Sequence, residues 1–348
     1  MNDKQIYSLG IIGVRGYVGK ELLALISNHP QIQTQWLSSR QLAGQRANSI
    51  FDDTVLNTGD LDFDIEALSP DEVAEKETDI IVLALPNGLA EPFVQAIEAS
   101  GNCKLIIDLS ADYRFPEPGD DKNWIYSVPE LDHLDLEKAR SSQLIKISNP
   151  GCYATAMLLG LSPMMKLLSC RPHCFGVSGY SGAGTTPSLN NDPDNLKDNL
   201  IGYKLLEHLH EKEVSLRLQS PVSFTPHVAA FFRGINMTIQ VEFNQPQTSS
   251  ELLQRFQEFY STAPLVTCQP DIPVVKQVVH TAGCMIGGFA VSEDGKRATV
   301  VSCLDNLMKG AASQAMQNIN IALGIDPLLS VEKSNVAKSS INTNGGEQ

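Results

Sequence analysis

Basic residues are scarce in this sequence relative to acidic ones. The 348 residues include 26 Lys and Arg against 40 Asp and Glu, which gives a formal net charge of −14. Such a chain repels nucleic-acid backbones and anionic membranes, so an anionic substrate has to meet locally placed cations. We therefore expect a small-molecule partner, without nucleic acid and without a membrane.

Long apolar runs, a leader-like N-terminus and paired cysteines are also missing. No apolar stretch approaches the roughly 20 residues that a membrane-spanning helix needs, and no signal-peptide pattern precedes the first strand. The seven cysteines are scattered, which is typical of reduced thiols rather than of a disulfide framework. The cluster from Cys170 to Cys174 has no second cluster to complete a metal site, so no metal is predicted. A cytoplasmic protein is expected.

The first 150 residues contain an alternation of apolar, strand-like runs with helix-like segments. Strands are expected at 6–13, 34–38, 80–85 and 104–109, and helices at 18–29 and 91–99. This alternation predicts an α/β fold with a Rossmann-type, doubly wound parallel sheet. We assign residues 1–150 to a nucleotide-binding domain.

Beyond residue 150 the pattern becomes rich in β-structure. Strands are expected at 175–178, 222–224, 234–243, 288–291 and 297–303, with one clear helix at 249–262. They predict an α+β domain over residues 151–304, with a largely antiparallel sheet, for catalysis and oligomerisation. A helix over 305–323 is expected to return to the first domain and to complete it to about residue 325. The polar tail, 330–348, is predicted to be disordered.

Cofactor binding is predicted by a glycine-rich turn between the first strand and the first helix. The turn reads Gly13-Val14-Arg15-Gly16-Tyr17-Val18-Gly19, a variant of the dinucleotide fingerprint. Its glycines allow close approach of the backbone, so that a pyrophosphate can lie on the helix N-terminus. A plain glycine turn is the simpler alternative.

The end of the second strand favours NADP(H) over NAD(H). An acidic residue at this point would bind the ribose 2′-hydroxyl of NAD, but the sequence has Ser38, Ser39 and Arg40, with Arg15 nearby in the glycine turn. Hydroxyls and a guanidinium suit a 2′-phosphate. Ser39 and Arg40 are therefore predicted cofactor residues, and the alternative for Arg40 is a solvated surface charge.

Cys152 is the predicted nucleophile. A strand-like run, 144–147, leads into the turn 149–151, and a helix-like run follows from Ala154. Cys152 then lies at a helix N-terminus, where unpaired N–H groups and the helix dipole favour a thiolate. The alternative is a small, buried core cysteine.

A nucleophilic cysteine beside a nicotinamide site indicates acyl-enzyme chemistry, which needs a residue to move a proton. His210 and Glu213, three residues apart, would share one face of a helix, so the carboxylate could orient the imidazole. A surface His–Glu pair is the usual alternative, and His227 and His280, beside predicted strands, are further candidates. His29 is expected in a surface loop.

Several motifs together carry a resemblance to one family. Besides the glycine turn they are Asp108-Leu109-Ser110-Ala111-Asp112-Tyr113-Arg114, Asn149-Pro150-Gly151-Cys152-Tyr153, Ser178-Gly179-Tyr180-Ser181-Gly182-Ala183-Gly184, Phe224-Thr225-Pro226-His227, Arg233-Gly234-Ile235 and Asp305-Asn306-Leu307-Met308-Lys309-Gly310-Ala311-Ala312. With these motifs in family order over nearly its whole length, the chain resembles the N-acetyl-γ-glutamyl-phosphate reductases of arginine biosynthesis.

The resemblance implies an enzyme in which Cys152 attacks the acyl phosphate and NADPH reduces the resulting thioester. His210, placed by its distance from Phe224, would handle the proton with Glu213, and N-acetylglutamate semialdehyde would be released. The residues implied to bind substrate are Ser110, Arg114, Asn149 and Arg233. Those implied to bind cofactor, besides the glycine turn, are Pro86, Ser181, Gly182 and Asn306. A homodimer or homotetramer is expected.

The sequence departs from the usual family pattern at Arg15, Asn87, Thr185 and Leu209, which concerns binding details rather than the reaction class. Aspartate-semialdehyde dehydrogenase is disfavoured by the motifs at 178–184 and 224–227. A lysine-pathway enzyme acting on the longer aminoadipyl phosphate, or on a carrier-linked substrate, stays open because one methylene is worth only about 1–3 kcal/mol in a pocket. An inactive NADP-binding regulator is disfavoured because the cysteine, histidine and glutamate are all retained.

Overall fold

The computed structural model of the chain describes residues 5–50, 61–116 and 123–331. Residues 332–348, nearly all of the tail predicted to be disordered, lie outside the described residues. Within the described ranges, no helix is both long and apolar enough to cross a membrane.

The first sheet consists of six parallel strands. In chain order they are β1 (Tyr7–Ile12), β2 (Ile32–Ser38), β3 (Ile80–Leu83), β4 (Leu105–Asp108), β5 (Trp124–Tyr126) and β6 (Ile145–Ser148). Their order across the sheet is β2-β1-β3-β4-β6-β5, with every pair parallel. The predicted Rossmann-type sheet is thus confirmed.

Helices lie on both faces of this sheet. They are α1 (Tyr17–Ile26), α2 (Ala47–Ile50), α3 (Pro70–Ala74), α4 (Glu91–Ser100) and α5 (Pro129–Ala139). Successive residues of β3 point to opposite faces, so Ile80 and Val82 join a core that includes α1, while Ile81 and Leu83 join one that includes α4. Burial on both faces explains why the strand is uninterruptedly apolar.

The second sheet has seven strands and is mixed. The strands are β7 (His173–Gly179), β8 (Leu200–Gly202), β9 (Ser223–Ala229), β10 (Ile235–Glu242), β11 (Val266–Gln269), β12 (Cys284–Val291) and β13 (Arg297–Leu304). They are arranged as β11-β12-β13-β10-β7-β9-β8. Only the β11–β12 and β7–β9 pairs are parallel, which confirms the prediction of a largely antiparallel sheet.

The helices after residue 150 are α6 (Cys152–Leu161), α7 (Pro193–Leu196), α8 (Leu209–Leu218), α9 (Ser249–Phe259), α10 (Val275–Val278) and α11 (Ser313–Leu323), with 3₁₀ turns at Ser162–Leu167 and Tyr180–Ala183. Helix α6 is apolar all round because it packs between β10 and β13 of the mixed sheet on one side and α8 on another.

The segment after β13 differs from the single helix predicted over 305–323. It begins with a buried π-helical turn, Met308–Ala312, and only then becomes α11. Asp305 caps the start of this segment, because its carboxylate accepts hydrogen bonds from the N–H groups of Leu307 and Met308. The apolar residues of α11 pack into the same core as α1, so the segment lies on the first sheet as expected.

His29 is buried, which makes the prediction of a surface loop wrong. Its Nε2 lies 3.1 Å from Oδ1 of Asn320 on α11, and its Nδ1 accepts a hydrogen bond from the N–H of Gln31. The ring joins the end of α1 to α11, a long-range contact with no local sequence signal. Burial lowers the pKa of His29.

Candidate active site

Cys152 lies where the sequence predicts, at the first position of α6. Strand β6 ends at Ser148, and Gly151, with φ −71° and ψ 152°, is the N-cap residue. No side chain caps this helix. The first N–H groups of α6 are therefore directed toward the space around the thiol.

Burial raises the pKa of the Cys152 thiol to about 11, although the Tyr153 N–H and the Arg114 guanidinium lower it and Glu213 raises it further. The sequence alone led us to expect a thiolate. The structure reverses that expectation because desolvation of the charged sulfur outweighs the favourable end of the helix. A neutral thiol needs a base before it can act as a nucleophile.

His210, the second residue of α8, lies directly over the turn that presents Cys152. A Cβ atom added to Gly151 would overlap Nε2 of His210 and would stand 2.7 Å from Nη1 of Arg114. Residue 151 must be glycine because these two groups occupy the place of its side chain. The structure thus brings together the predicted nucleophile and the predicted base.

His210 is neutral in this environment. Burial, with a smaller effect from Arg114, lowers the pKa of its imidazole to about 3. Its Nε2 lies 4.0 Å from Oε2 of Glu213, and its Nδ1 is buried with no hydrogen-bond partner among the described residues. A neutral, desolvated imidazole with a vacant nitrogen can accept the proton of a thiol.

Glu213 is fully buried and accepts three hydrogen bonds. The donors are Tyr126 Oη at 2.8 Å, the Gly151 N–H at 2.9 Å and Arg114 Nη1 at 3.3 Å. A buried carboxylate needs such partners. Together they fix Glu213 against the Cys152 turn and beside the imidazole of His210.

Arg114 uses its whole guanidinium to join three parts of the site. Its Nε donates to the carbonyl oxygen of Asn149 and its Nη2 to that of Leu109, both at 2.9 Å, while Nη1 contacts Glu213. Ser110, predicted with Arg114 to bind substrate, is buried and donates to Oδ2 of Asp108 at 2.8 Å. Both residues therefore brace the ends of β4 and β6.

Asn149 is also anchored from several sides. Its N–H donates to the Asp108 carbonyl oxygen, its Nδ2 lies 3.4 Å from the Ala311 carbonyl oxygen, and its Oδ1 accepts from Nδ2 of Asn318 at 3.1 Å. The loop between β6 and α6 is thus held by β4 below it and by the π-helical turn and α11 beside it.

The glycine turn has the features of a dinucleotide site. Gly13 has φ +90°, and a Cβ atom there would overlap the carbonyl oxygen of Ala84, so only glycine fits. Gly16 is the N-cap residue of α1, which no side chain caps, and its own Cβ position is open. Gly19 packs its backbone against Val14.

A second loop faces this turn. Asn306 Nδ2 donates to Oγ of Ser181 at 3.0 Å, next to Gly182, and Asn306 Oδ1 accepts from the Gly234 N–H at 2.6 Å. Across the gap, Nη2 of Arg15 donates to Oγ1 of Thr185 at 3.0 Å.

The ring of Tyr17 also packs edge-on against Phe232, with ring centroids 5.2 Å apart. The glycine turn therefore contacts the loops that follow β7 and β9.

The residues predicted to select NADP(H) follow the carboxyl end of β2. The Gly13 N–H donates to the Ser38 carbonyl oxygen at 2.9 Å; Ser39 is buried and Arg40 is exposed. Glu66, which forms an isolated β-bridge with Ser38, is in an ion pair with Lys76 at 2.7 Å. Pro86, after β3, is exposed on the same edge of the sheet.

No group of three or more His, Cys, Asp and Glu residues is placed to hold a metal ion within the described part of the chain. In the cluster noted in the sequence, Cys170 is exposed and Cys174 is buried in the core of the mixed sheet.

Two kinds of comparison identify the family. Residues 8–139 match the family model of the semialdehyde dehydrogenase NAD binding domain, and residues 152–306 match that of the semialdehyde dehydrogenase dimerisation domain. A curated relative named N-acetyl-gamma-glutamyl-phosphate reductase, from Xanthomonas campestris pv. campestris (strain B100), is 50% identical over 93% of this chain and 98% of its own length. The relative of the same name from Stenotrophomonas maltophilia (strain R551-3) is 48% identical over 95% and 99%.

The chain belongs to the N-acetyl-γ-glutamyl-phosphate reductase family. Among solved structures, aspartate semialdehyde dehydrogenase II complexed with ASA from Vibrio cholerae superposes with a TM-score of 0.73 at 17% identity, covering 92% of this chain and 99% of that one. At that identity the likeness shows a shared fold. The resemblance to N-acetyl-γ-glutamyl-phosphate reductases drawn from the motifs is confirmed.

In the family motif Arg233-Gly234-Ile235, the arginine side chain pairs with carboxylates of the protein itself. Nε and Nη2 of Arg233 donate to the two carboxylate oxygens of Asp305 at 2.7 and 3.1 Å, and Nη1 donates to Oε1 of Glu21 on α1 at 2.8 Å. Its guanidinium joins the glycine-turn helix to the segment after β13. The role predicted for it, substrate binding, stays a prediction.

Sequence reasoning missed several members of this reductase site. Tyr126 lies on a three-residue strand and reaches Glu213 across the site. His208 caps α8, since its Nδ1 accepts from the N–H of His210 at 3.1 Å. Lys309 and Gly310 were inside a quoted motif without a role. The cap by His208 is local, two residues from its partner, but the contacts of Tyr126, Lys309 and Gly310 join residues far apart in the chain, so no local pattern reveals them.

Proposed function

We propose that this protein catalyses the NADPH-dependent reduction of N-acetyl-L-glutamyl 5-phosphate to N-acetyl-L-glutamate 5-semialdehyde, in arginine biosynthesis. The observation that carries the proposal is the packing of His210, backed by Glu213, over the Gly151 turn that presents Cys152. The curated relatives near 50% identity, which carry the reductase name, support the same reaction.

In the first half-reaction, Sγ of Cys152 attacks the acyl carbon as His210 accepts the thiol proton. The C–O bond to phosphate breaks, and a thioester forms on Cys152. Inorganic phosphate leaves with its negative charge and takes up the proton from His210. Glu213 stabilises the imidazolium that exists between these events. The N–H groups at the start of α6 are available for the oxygen of the tetrahedral intermediate.

In the second half-reaction the thioester carbon is reduced. The nicotinamide of NADPH, when bound, supplies the hydride. The oxygen then takes a proton to give a thiohemiacetal on Cys152. When the C–S bond breaks, His210 moves the hydroxyl proton to the sulfur, so the semialdehyde and the neutral thiol are formed together. One hydride and one proton are consumed overall.

We propose that the glycine turn, with Gly13, Gly16 and Gly19, holds the pyrophosphate on the N-terminus of α1, with Arg15, Tyr17 and Val18 around it. Pro86, Ser181, Gly182 and Asn306 would line the nicotinamide end. The open Cβ position of Gly16 and the uncapped helix fit such a group. Ser39 and Arg40 favour NADP over NAD, and the carboxylate of Glu66, which neighbours Ser38, is already paired with Lys76.

For substrate binding we propose Ser110, Arg114, Asn149 and Arg233. Their hydrogen bonds within the protein assign them a shaping role: the guanidinium of Arg114 faces the Gly151 turn, and Asn149 fixes the loop that ends in Cys152.

We further propose two functional units and a homo-oligomer, a dimer or tetramer, in the cytoplasm. Residues 1–150 with 305–325 would bind the nucleotide, and 151–304 would carry catalysis and assembly. The face of the mixed sheet opposite α6 is only half-covered at Phe175, Val177 and Thr238, and is the proposed site for a second copy. Light scattering of the purified chain tests the assembly.

The reverse reaction tests the function. Purified protein with N-acetylglutamate semialdehyde, inorganic phosphate and NADP is expected to form NADPH, whereas Cys152→Ala is expected to bind cofactor without turnover. Wild-type turnover by Cys152→Ala would rule out the mechanism. Parallel assays with aspartate semialdehyde and with the aminoadipate homologue test the two rival substrates. Aspartate semialdehyde is expected to be the poorest substrate of the three.

A further inference from the structure

The π-helical turn Met308–Ala312 lies against the proposed nucleophile. Turns of this type are rare and are frequently found at functional sites. A Cβ atom added to Gly310, at the centre of the turn, would stand 2.7 Å from Cβ of Cys152 and 3.2 Å from its Cα. The turn therefore forms one wall of the Cys152 site, and no side chain fits between them.

Lys309, the residue before this glycine, is fully buried. Its Nζ donates to Oε1 and Oε2 of Glu130 at 2.6 and 2.7 Å and to Oε1 of Gln317 at 2.8 Å, so its three donors are all used. Glu130 is the second residue of α5, where the helix N-terminus stabilises a negative charge. Lys309 thus ties the turn to a helix of the first sheet.

The rest of the turn is fixed as well. The carbonyl oxygen of Asp305 accepts from the Gly310 N–H at 2.9 Å, while the carboxylate of Asp305 is held by Arg233. On the other side, the carbonyl oxygen of Ala311 accepts from Asn149 Nδ2. The wall and the loop that carries Cys152 are therefore one connected structure.

Stability alone does not account for a buried lysine at this point. Removing two charges from water carries a cost that often exceeds their attraction, and apolar residues of similar size are frequently as stable. What the ion pair adds is fixed geometry, since Nζ meets three acceptors in set directions. We infer that Lys309 is a positioning residue for Cys152: through Glu130 it fixes the π-helical turn, so that Gly310 holds the thiol in place for attack.

The inference rests on the proposed function only in taking Cys152 as the nucleophile. Its test is therefore read in two ways, by steady-state turnover and by the alkylation rate of Cys152 with iodoacetamide, which needs no substrate. Wild-type turnover by Cys152→Ala would refute the proposed function. Unchanged alkylation in the variants below would remove the positioning role.

Lys309→Met keeps the length of the side chain and removes its charge. We expect kcat to fall at least tenfold, with KM for cofactor and substrate within threefold of wild type. We also expect alkylation of Cys152 at pH 7.5 to become at least threefold faster, because the thiol is less tightly buried. Peptide mass spectrometry must show no such rise at Cys174 and Cys284, which report general loosening of the second core.

Two further variants keep the test decisive if Lys309→Met folds poorly. Lys309→Met with Glu130→Met removes both charges and is expected to recover thermal stability without recovering kcat. Glu130→Gln keeps the shape and is expected to show a smaller change in the same direction. Thr78→Val is the matched control: it removes a buried hydrogen bond from Trp36, remote from Cys152, and should lower Tm with kcat unchanged. The inference would be overturned if Lys309→Met, the double variant or Glu130→Gln folded and kept both the wild-type kcat and the wild-type rate of Cys152 alkylation.

Discussion

Gly151→Ala isolates the contact between the Cys152 turn and the base. The backbone of residue 151, φ −71° and ψ 152°, lies in a region open to any residue, so alanine introduces no backbone strain. Its Cβ would overlap Nε2 of His210 and crowd Nη1 of Arg114. The imidazole is the closer of the two groups and has to move, and its displacement removes general base catalysis, which is worth a factor of about 10²–10⁴, or about 3–5 kcal/mol in the barrier.

The same substitution should cost only about 1–3 kcal/mol of stability, the usual range for one extra carbon in a packed site. The assay is kcat in the reverse reaction together with Tm. Gly16→Ala is the matched contrast, since Gly16 is also a helix N-cap, with φ −64° and ψ 157°, but its Cβ would make only an ordinary contact, 3.7 Å from the Gly13 carbonyl oxygen. We expect it to raise KM for NADP while kcat stays within threefold. A folded Gly151→Ala enzyme with kcat within threefold of wild type would refute the reasoning.

Three further predictions concern charge. Since pKa values of about 11 and 3 place the neutral forms of Cys152 and His210 across the physiological range, kcat/KM is expected to be flat from about pH 5 to 9; an inflection near 6.5 would contradict this. Arg40→Ala should raise KM for NADPH about tenfold, since the loss of one charge-assisted hydrogen bond has an effect of about that size, and should leave KM for NADH unchanged. An equal effect on both cofactors would show that Arg40 is only a surface charge. The lowered pKa of His29 means that its stabilising contribution is present above pH 6.5 and is lost as pH falls, by at most about 1.4 kcal/mol per pH unit; Tm of His29→Gln, which can still bond Gln31, should fall less between pH 7 and 5 than that of wild type.

The parts of the site that the sequence predicts are those fixed by neighbours in the chain. Gly13 needs φ +90° because the turn is tight, and Cys152 starts a helix because a strand, Pro and Gly precede an apolar run. Both are properties of a few consecutive residues. The i, i+3 spacing of His210 and Glu213 is of the same kind, and the structure places them on one helix.

What the sequence does not predict depends on burial and on contacts between distant elements. The direction of the Cys152 pKa shift is set by desolvation from the surrounding core and cannot be read from the helix position. The partners of Glu213 come from β5, from the end of β4 and from the Cys152 turn, which only the folded sheet brings together. The apolar and amide pattern of 308–323 fits an α-helix equally well, so its π-helical start has no signature.

The neutral state of the thiol and the imidazole explains why the buried ions beside them are arranged as a pair. In the resting site the buried charges of Arg114 and Glu213 compensate each other, so the pair adds no net charge to the site. In the proposed mechanism, transfer of the Cys152 proton to His210 creates a positive charge on the imidazole. Its Nε2 lies 4.0 Å from Oε2 of Glu213, so the compensating negative charge is already in place. The guanidinium that lowers the pKa of His210 in the resting state also lowers that of the thiol. In the proposed mechanism, proton transfer accompanies attack on the acyl phosphate rather than preceding it, because the raised thiol pKa and the lowered imidazole pKa disfavour the ion pair at rest. A thiol that stays protonated until substrate is bound is less prone to oxidation.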